Sequence, residues 1–239
     1  MYLVTGASSG IGCAAACELL ERGFSVVAVA RRSMASAVLS QYGNQLISLK
    51  TDVTTRIGLD TIKSAFAGRR VQGVVHAAGS LIALASYAHL NIDNMNQDMS
   101  VHVSAPIAIN NLLAQQLTGA RIIYIDSYSA NAPRLGWSGY SIVKAAAQMA
   151  AKSAAAEISH ARVIRVFPGG VRTPLVEAVL NSQSSSPTAL AFRKLDAVGE
   201  IVEPELIGRY IADILVHATE DQLESREYWD FNNPTDHLF

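Results

Sequence analysis

Charge is in short supply. Only 16% of the 239 residues are Asp, Glu, Lys or Arg, and 19 basic against 20 acidic side chains leave a net charge of -1. That balance removes the general electrostatic attraction on which nucleic-acid and anionic-membrane binding rest. Cysteine is nearly absent too: Cys13 and Cys17 stand four apart, with no further metal-ligand set evident beside them. No metal site is expected, and the pair reads as small packing residues on one helix face. No apolar run approaches ~18 residues, so no membrane-spanning helix is expected. The opening Met1-Tyr2-Leu3-Val4-Thr5 runs as a strand straight into a glycine-rich turn, with no leader pattern. A soluble protein of cytoplasmic type is the expectation.

What the chain does have is apolar surface to bury. Half of its residues are hydrophobic, enough for a sizeable core and against disorder. Strand-like Val/Ile runs at 1–5, 24–30, 46–50, 72–76, 120–126 and 161–167 alternate with helical stretches at 10–22, 34–41, 56–67, 93–117, 138–159 and 203–217. Continuous rather than alternating apolar strands suit a parallel sheet covered on both faces. The order predicts a single three-layer α/β domain over 1–239, a doubly wound parallel sheet of Rossmann type. Residues of about 174–200, including the polar run Asn181–Pro187, break the rhythm. They read either as a lid on the substrate side or as an ordinary surface insertion.

Gly6, Gly10 and Gly12 lie between the first strand and an Ala-rich helix, with Ser8, Ser9 and Ile11 among them. Such a turn lets a cofactor approach the backbone and offers unpaired helix N–H groups to a phosphate. The second strand ends in Ala30-Arg31-Arg32, where an NAD enzyme carries a carboxylate for the ribose hydroxyls. A guanidinium there pairs with a 2′-phosphate instead, which favours NADP (NADPH) over NAD. Further on, Tyr140 and Lys144 stand four apart on one helix face, with Ser127 thirteen residues upstream. A Tyr and a Lys so placed point to proton transfer beside the bound cofactor.

At this point the chain resembles the short-chain dehydrogenase/reductase family in its single-domain form. The resemblance is carried by Thr5-Gly6-x-x-x-Gly10-x-Gly12, Asp52-Val53, His76-Ala77-Ala78-Gly79, Ser127, Tyr140-x-x-x-Lys144 and Pro168-Gly169-Gly170-Val171-Arg172-Thr173-Pro174. It implies an NADP(H)-dependent oxidoreductase that transfers a hydride between nicotinamide and a carbonyl or secondary alcohol of a small molecule. Tyr140 would exchange the proton, Lys144 would draw the phenol pKa down and bind the nicotinamide ribose, and Ser127 would polarise the carbonyl. Asp52 and Val53 would contact adenine, although Asp52 also reads as a helix cap. Ala77, Ala78 and Gly79 would contribute backbone, Pro168, Gly169 and Val171 would flank the nicotinamide, and Thr173 would meet its carboxamide.

Two departures stand out. His76-Ala77 replaces the family's usual Asn-Asn, and His102 occupies the position matching the tetrad Asn, as a modified proton relay or as a core histidine. Tyr128, Leu135 and Trp137 either line an apolar, aromatic substrate pocket or seal a helix against the sheet. The segment Glu227–Asn232 resembles the tails of sepiapterin- and benzil-reductase-type members, which hints at vicinal dicarbonyl substrates. The small-residue surface of 138–159 and the family habit imply a homodimer or homotetramer. A non-catalytic NADP-binding redox sensor is the alternative from another class.

Overall fold

The computed structural model describes residues 1–82 and 84–238. The Val-, Ile- and Leu-bearing runs form β1 (Tyr2–Thr5), β2 (Val26–Ala30), β3 (Leu46–Lys50), β4 (Gly73–His76), β5 (Arg121–Ile125) and β6 (Arg162–Phe167), each inside its expected range. A seventh strand, β7 (Trp229–Asp230), is an addition that its two-residue length hid from pattern reading. The sheet order is β3-β2-β1-β4-β5-β6-β7, with every pairing parallel.

Between the strands run α1 (Gly10–Glu21), α2 (Ser36–Tyr42), α3 (Arg56–Ala65), α4 (Ile92–Met99), α5 (Ala105–Leu112), α6 (Ser138–Glu157), α7 (Pro174–Leu180), α8 (Pro187–Ala197), α9 (Pro204–Val216) and α10 (Glu220–Glu224). Successive strand residues point to opposite faces. Val4, Ala28 and Val75 join one core layer with Leu19 of α1 and Ile207 and Ile211 of α9. Leu3, Val27 and Val74 join the other, with Ile62 of α3 and Ile109 of α5. Burial on both faces is why these strands carry no polar alternation.

The expected continuous helix over 93–117 is interrupted. Between α4 and α5 the chain takes a π-helical turn, Ser100–Ser104, closed by the Ala105 N–H on the Ser100 carbonyl. Pro106 accounts for the break: it has no N–H for the carbonyl of residue 102, and its ring would press on that carbonyl. Wider turns of this kind recur where a helix presents functional groups.

Strand order reverses between β1 and β4, since the chain first builds outward to β3 and then returns. The carboxyl ends of these strands therefore open a crevice, the usual ligand position in such sheets.

Candidate active site

The turn after β1 is a cradle that side chains would fill. Gly6 has φ +70°, and a Cβ there would lie 2.6 Å from the Ala77 carbonyl oxygen; one on Gly12 would lie 2.6 Å from the Gly6 carbonyl oxygen. Thr5 fixes the same junction, its Oγ1 accepting from the N–H groups of Ala77 (3.2 Å) and Ala78 (3.1 Å). Ser9 is the N-cap of α1, yet its side chain makes no capping bond, so the first N–H groups of the helix remain available to an anion. Arg32 reaches across from β2 and donates to Ser9 Oγ at 3.2 Å.

One cavity of about 1030 Å³ extends from this cradle. The residues expected to touch the cofactor border it: Gly6, Ser8, Ser9, Gly10 and Ile11 of the turn, then Arg31 and Arg32, Asp52 and Val53, Ala77 to Gly79, and also His102. Ser127, Tyr140, Lys144, Pro168, Gly169, Val171 and Thr173 border it as well. The size and the open glycine cradle fit a dinucleotide lying along the strand ends. Asp52 is not a helix cap: its Oδ1 accepts from the backbone N–H (2.9 Å) and hydroxyl (2.7 Å) of Thr54, while Thr55 caps α3. Thr173 caps α7, accepting from the Val176 N–H.

Ser127 leaves β5 while Tyr140 and Lys144 rise on one face of α6; all three border the cavity, with the Ser127 hydroxyl and the Tyr140 phenol in hydrogen-bond contact. Lys144 is 4% exposed and donates to the Ile125 carbonyl at 2.7 Å. Burial pushes its ammonium down to about 8, against the opposing pull of the Asp126 carboxylate. The Tyr140 phenol moves the other way from expectation. Burial drives it up to about 12, the nearby Ser127 hydroxyl partly offsets this, and Asp126 and Asp98 add to it. Desolvation of the phenolate is the largest of these effects. Tyr140 is thus a firmly protonated acid at neutral pH.

His102 lies in the π-turn. Its Nε2 is 3.1 Å from the Ser80 backbone N and 2.9 Å from the Ser80 carbonyl oxygen. The ring meets Tyr140 edge-on at 6.3 Å. Burial, and then the Lys144 charge, push its pKa down to about 4, so the ring is neutral near pH 7. Asp98 of α4 holds the same loop, accepting from the Ser80 hydroxyl and from the Ile82 N–H at 3.1 Å. His76 is more than a backbone contributor: its Nε2 is 2.9 Å from Asn110 Oδ1, and Asn110 Nδ2 donates to the Tyr124 hydroxyl at 2.9 Å. Burial pushes His76 down to about 4 as well.

Sequence reading passed over Asp126, although it directly precedes Ser127. Its Oδ1 accepts from the Ser127 N–H at 2.7 Å, while Oδ2 accepts from Arg165 at 2.9 Å and Gln148 at 3.2 Å. Arg165 continues to Glu227 at 2.8 Å.

Over the substrate end, α7 and α8 both contribute walls, including Leu175, Val176, Thr188 and Phe192. Arg172 ties this pair down through Glu177, Asp196 and Glu203, and Thr188 Oγ1 donates to the Leu135 carbonyl at 2.9 Å. Trp137 borders the cavity and does not seal α6 against the sheet, since it packs with Val179 of α7 and Ala189 and Phe192 of α8. It stacks on Phe192 at 5.3 Å, meets Tyr140 edge-on at 5.8 Å, and is 4% exposed while bordering the cavity. Tyr128 stacks on Phe167 at 5.1 Å and donates its hydroxyl to Asp230. Asn232 lies against Gly169 and on the cavity wall. Among the described residues no cluster fit to hold a metal ion occurs, and no helix is long and apolar enough to cross a membrane.

The known proteins agree with this geometry. The family model described as short chain dehydrogenase matches residues 1–184. Benzil reductase ((S)-benzoin forming) of Bacillus subtilis is 25% identical over 92% of this chain and 95% of its own. The 2,5-dichloro-2,5-cyclohexadiene-1,4-diol dehydrogenase LinX of Sphingobium indicum is 27% identical over 74% of this chain and 75% of its own. The crystal structure of the short-chain dehydrogenase/reductase YIR035C from Saccharomyces cerevisiae superposes with a TM-score of 0.89 at 21% identity, covering 98% of this chain and 97% of that one. The chain belongs to the short-chain dehydrogenase/reductase family, and is an oxidoreductase of the hydride-transferring, nicotinamide-dependent kind.

Proposed function

We propose that the protein is an NADP(H)-dependent carbonyl reductase acting on small, apolar carbonyl compounds. The observation that carries this reading is that Ser127, Tyr140 and Lys144 border one cavity with a glycine cradle, Arg31 and Arg32. NADP is preferred because the end of β2 presents two guanidinium groups and no carboxylate. Bound NADPH supplies the hydride for the substrate carbon. The buried Tyr140 hydroxyl donates the proton that the substrate oxygen needs as negative charge grows on it. Ser127 orients and polarises that oxygen, and its own position is set by Asp126. Lys144 is the cation of the site and the donor for the nicotinamide ribose. His102 acts as a positioning residue that braces the Gly79–Ser80 loop beside Tyr140.

The aromatic wall of Trp137 and Phe192, and the likeness to a benzil reductase, favour aryl ketones and vicinal dicarbonyls. The α7–α8 pair, within residues of about 174–200, serves as the lid over them. Exposed Ile107 of α5 and Ile142 and Met149 of α6 offer an apolar face for a homodimer, assembled in the cytoplasm. With all three catalytic side chains in place, a non-catalytic redox sensor is the weaker reading.

The test is NADPH oxidation by the wild type and Tyr140→Phe over benzil, 1-phenyl-1,2-propanedione and other aryl ketones. Removing the proton donor lowers kcat by about 10²- to 10⁴-fold while NADPH still binds. Turnover retained by Tyr140→Phe would falsify the assignment.

A further inference from the structure

The cavity changes character along its length. Around Ser127 and Tyr140 its wall is apolar, with Leu135, Trp137, Leu175 and Phe192 facing in. Polar groups interrupt it at His102, Thr188 and Arg134, of which Arg134 is the cation without a side-chain partner among the described residues. Most arginines of the molecule are engaged: Arg165 on Asp126 and Glu227, Arg172 on three carboxylates, Arg193 on the carbonyls of Leu180, Ser182 and Ser184. Among the described residues, the side chains of Arg31, Arg134 and Arg209 have no such partner. Arg209 is exposed on α9, away from the cavity, whereas Arg31 and Arg134 border its two ends.

The Arg134 side chain is exposed, but its backbone is held to the catalytic helix. Its N–H donates to Ser141 Oγ at 3.2 Å, and its carbonyl accepts from the Trp137 N–H at 2.9 Å. No acidic side chain competes for it on that side. The carboxylates on the cavity are Asp52, beside the Arg31 end, and Asp126, already paired with Arg165. Lys144 is assigned to the nicotinamide ribose, which leaves Arg134 as the cation for the substrate.

We infer that Arg134 binds a carboxylate on the substrate, so that the compound reduced is an apolar, aryl-bearing oxo acid rather than a neutral ketone. The inference rests on the carbonyl-reductase reading and narrows it. A guanidinium presents a planar fork that matches a carboxylate with two parallel hydrogen bonds. A substrate seated on the apolar wall would cover the exposed guanidinium and so strengthen the pairing over the same contact in open water. The carboxylate stays intact throughout: hydride goes to the keto carbon, and the proton from Tyr140 goes to its oxygen.

The experiment compares benzoylformate, 4-oxo-4-phenylbutanoate and 5-oxo-5-phenylpentanoate, each beside its methyl ester, in NADPH oxidation by the wild type, Arg134→Gln and Arg134→Lys. The series varies the reach between ketone and carboxylate. For at least one acid, wild-type kcat/KM exceeds that of its ester, and Arg134→Gln lowers the acid-to-ester ratio by about tenfold, largely through KM. Arg134→Lys recovers part of the loss. The inference is overturned if no acid outruns its ester in the wild type, or if Arg134→Gln leaves the ratio unchanged. If acids, esters and benzil are all inert while NADPH binds, the carbonyl-reductase reading falls and takes this one with it.

Discussion

Asp126 and Arg165 form an ion pair at 2.9 Å whose side chains are only 2% and 6% exposed, directly behind Ser127. Because Asp126 also accepts from the Ser127 backbone N–H, the pair sets where the serine hydroxyl stands. Asp126→Asn should lower kcat for a good carbonyl substrate by about 10- to 100-fold, the usual effect of a small misplacement at a reacting centre. Leaving Arg165 with only the solvent-facing Glu227 should also cost about 3 kcal/mol of stability. Denaturant melts and steady-state kinetics on Asp126→Asn and Asp126→Asn/Arg165→Met separate the two effects. The double variant should regain stability without regaining turnover.

Arg31 and Arg32 should read the 2′-phosphate of the nucleotide. The double variant Arg31→Ala/Arg32→Ala is expected to weaken NADPH binding about 10- to 100-fold, since hydrogen bonds to charged groups contribute ~1.5–3 kcal/mol. NADH binding should change far less, as a fluorescence titration with both nucleotides would reveal. Equal weakening of the two would rule out the preference for NADP.

His102 braces a loop and is uncharged at neutral pH. His102→Ala should lower kcat about 10- to 100-fold with NADPH affinity nearly intact, and His102→Asn, which can also meet the Ser80 backbone, should retain more. Turnover unaffected by the alanine would remove His102 from the site's machinery.

His76 and His102 both have pKa values pushed down to about 4 by burial. The unfolded chain, with histidines near ~6.5, therefore binds more protons than the fold between those values. Their contribution to stability should be lost as pH falls from 6.5 towards 4, with no further loss from these two rings below that. His76→Asn should flatten part of that decline in urea melts recorded across the range. An unchanged slope would mean that His76 is not buried as a neutral ring.

The strands were legible because burial on both faces leaves unbroken Val and Ile runs. The Ser127, Tyr140 and Lys144 set was legible because one helix turn fixes the last two, and β5 delivers the first. Other features depend on distance in space. Asp126 meets Arg165 across 39 residues of chain, and β7 is too short to carry a pattern. The π-turn required weighing Pro106 against the carbonyl four residues before it. The phenol of Tyr140 was expected to be lowered by Lys144 and is raised, because burial and the direction of an ammonium cannot be read from a four-residue spacing. The role of Asp52 was misjudged in one of its readings, since Thr55 was the better cap for α3.

The two-residue strand β7 has a practical corollary for anyone handling this protein. Through Asp230 it anchors Tyr128, next to Ser127, and Asn232 just beyond it rests on the Gly169 turn. Proteolytic clipping at residue 228, or a bulky fusion pressed close behind residue 232, should therefore disturb the cavity wall beside Ser127. An enzyme so damaged would keep its circular-dichroism signature and lose its turnover, and would be mistaken for an inactive family member.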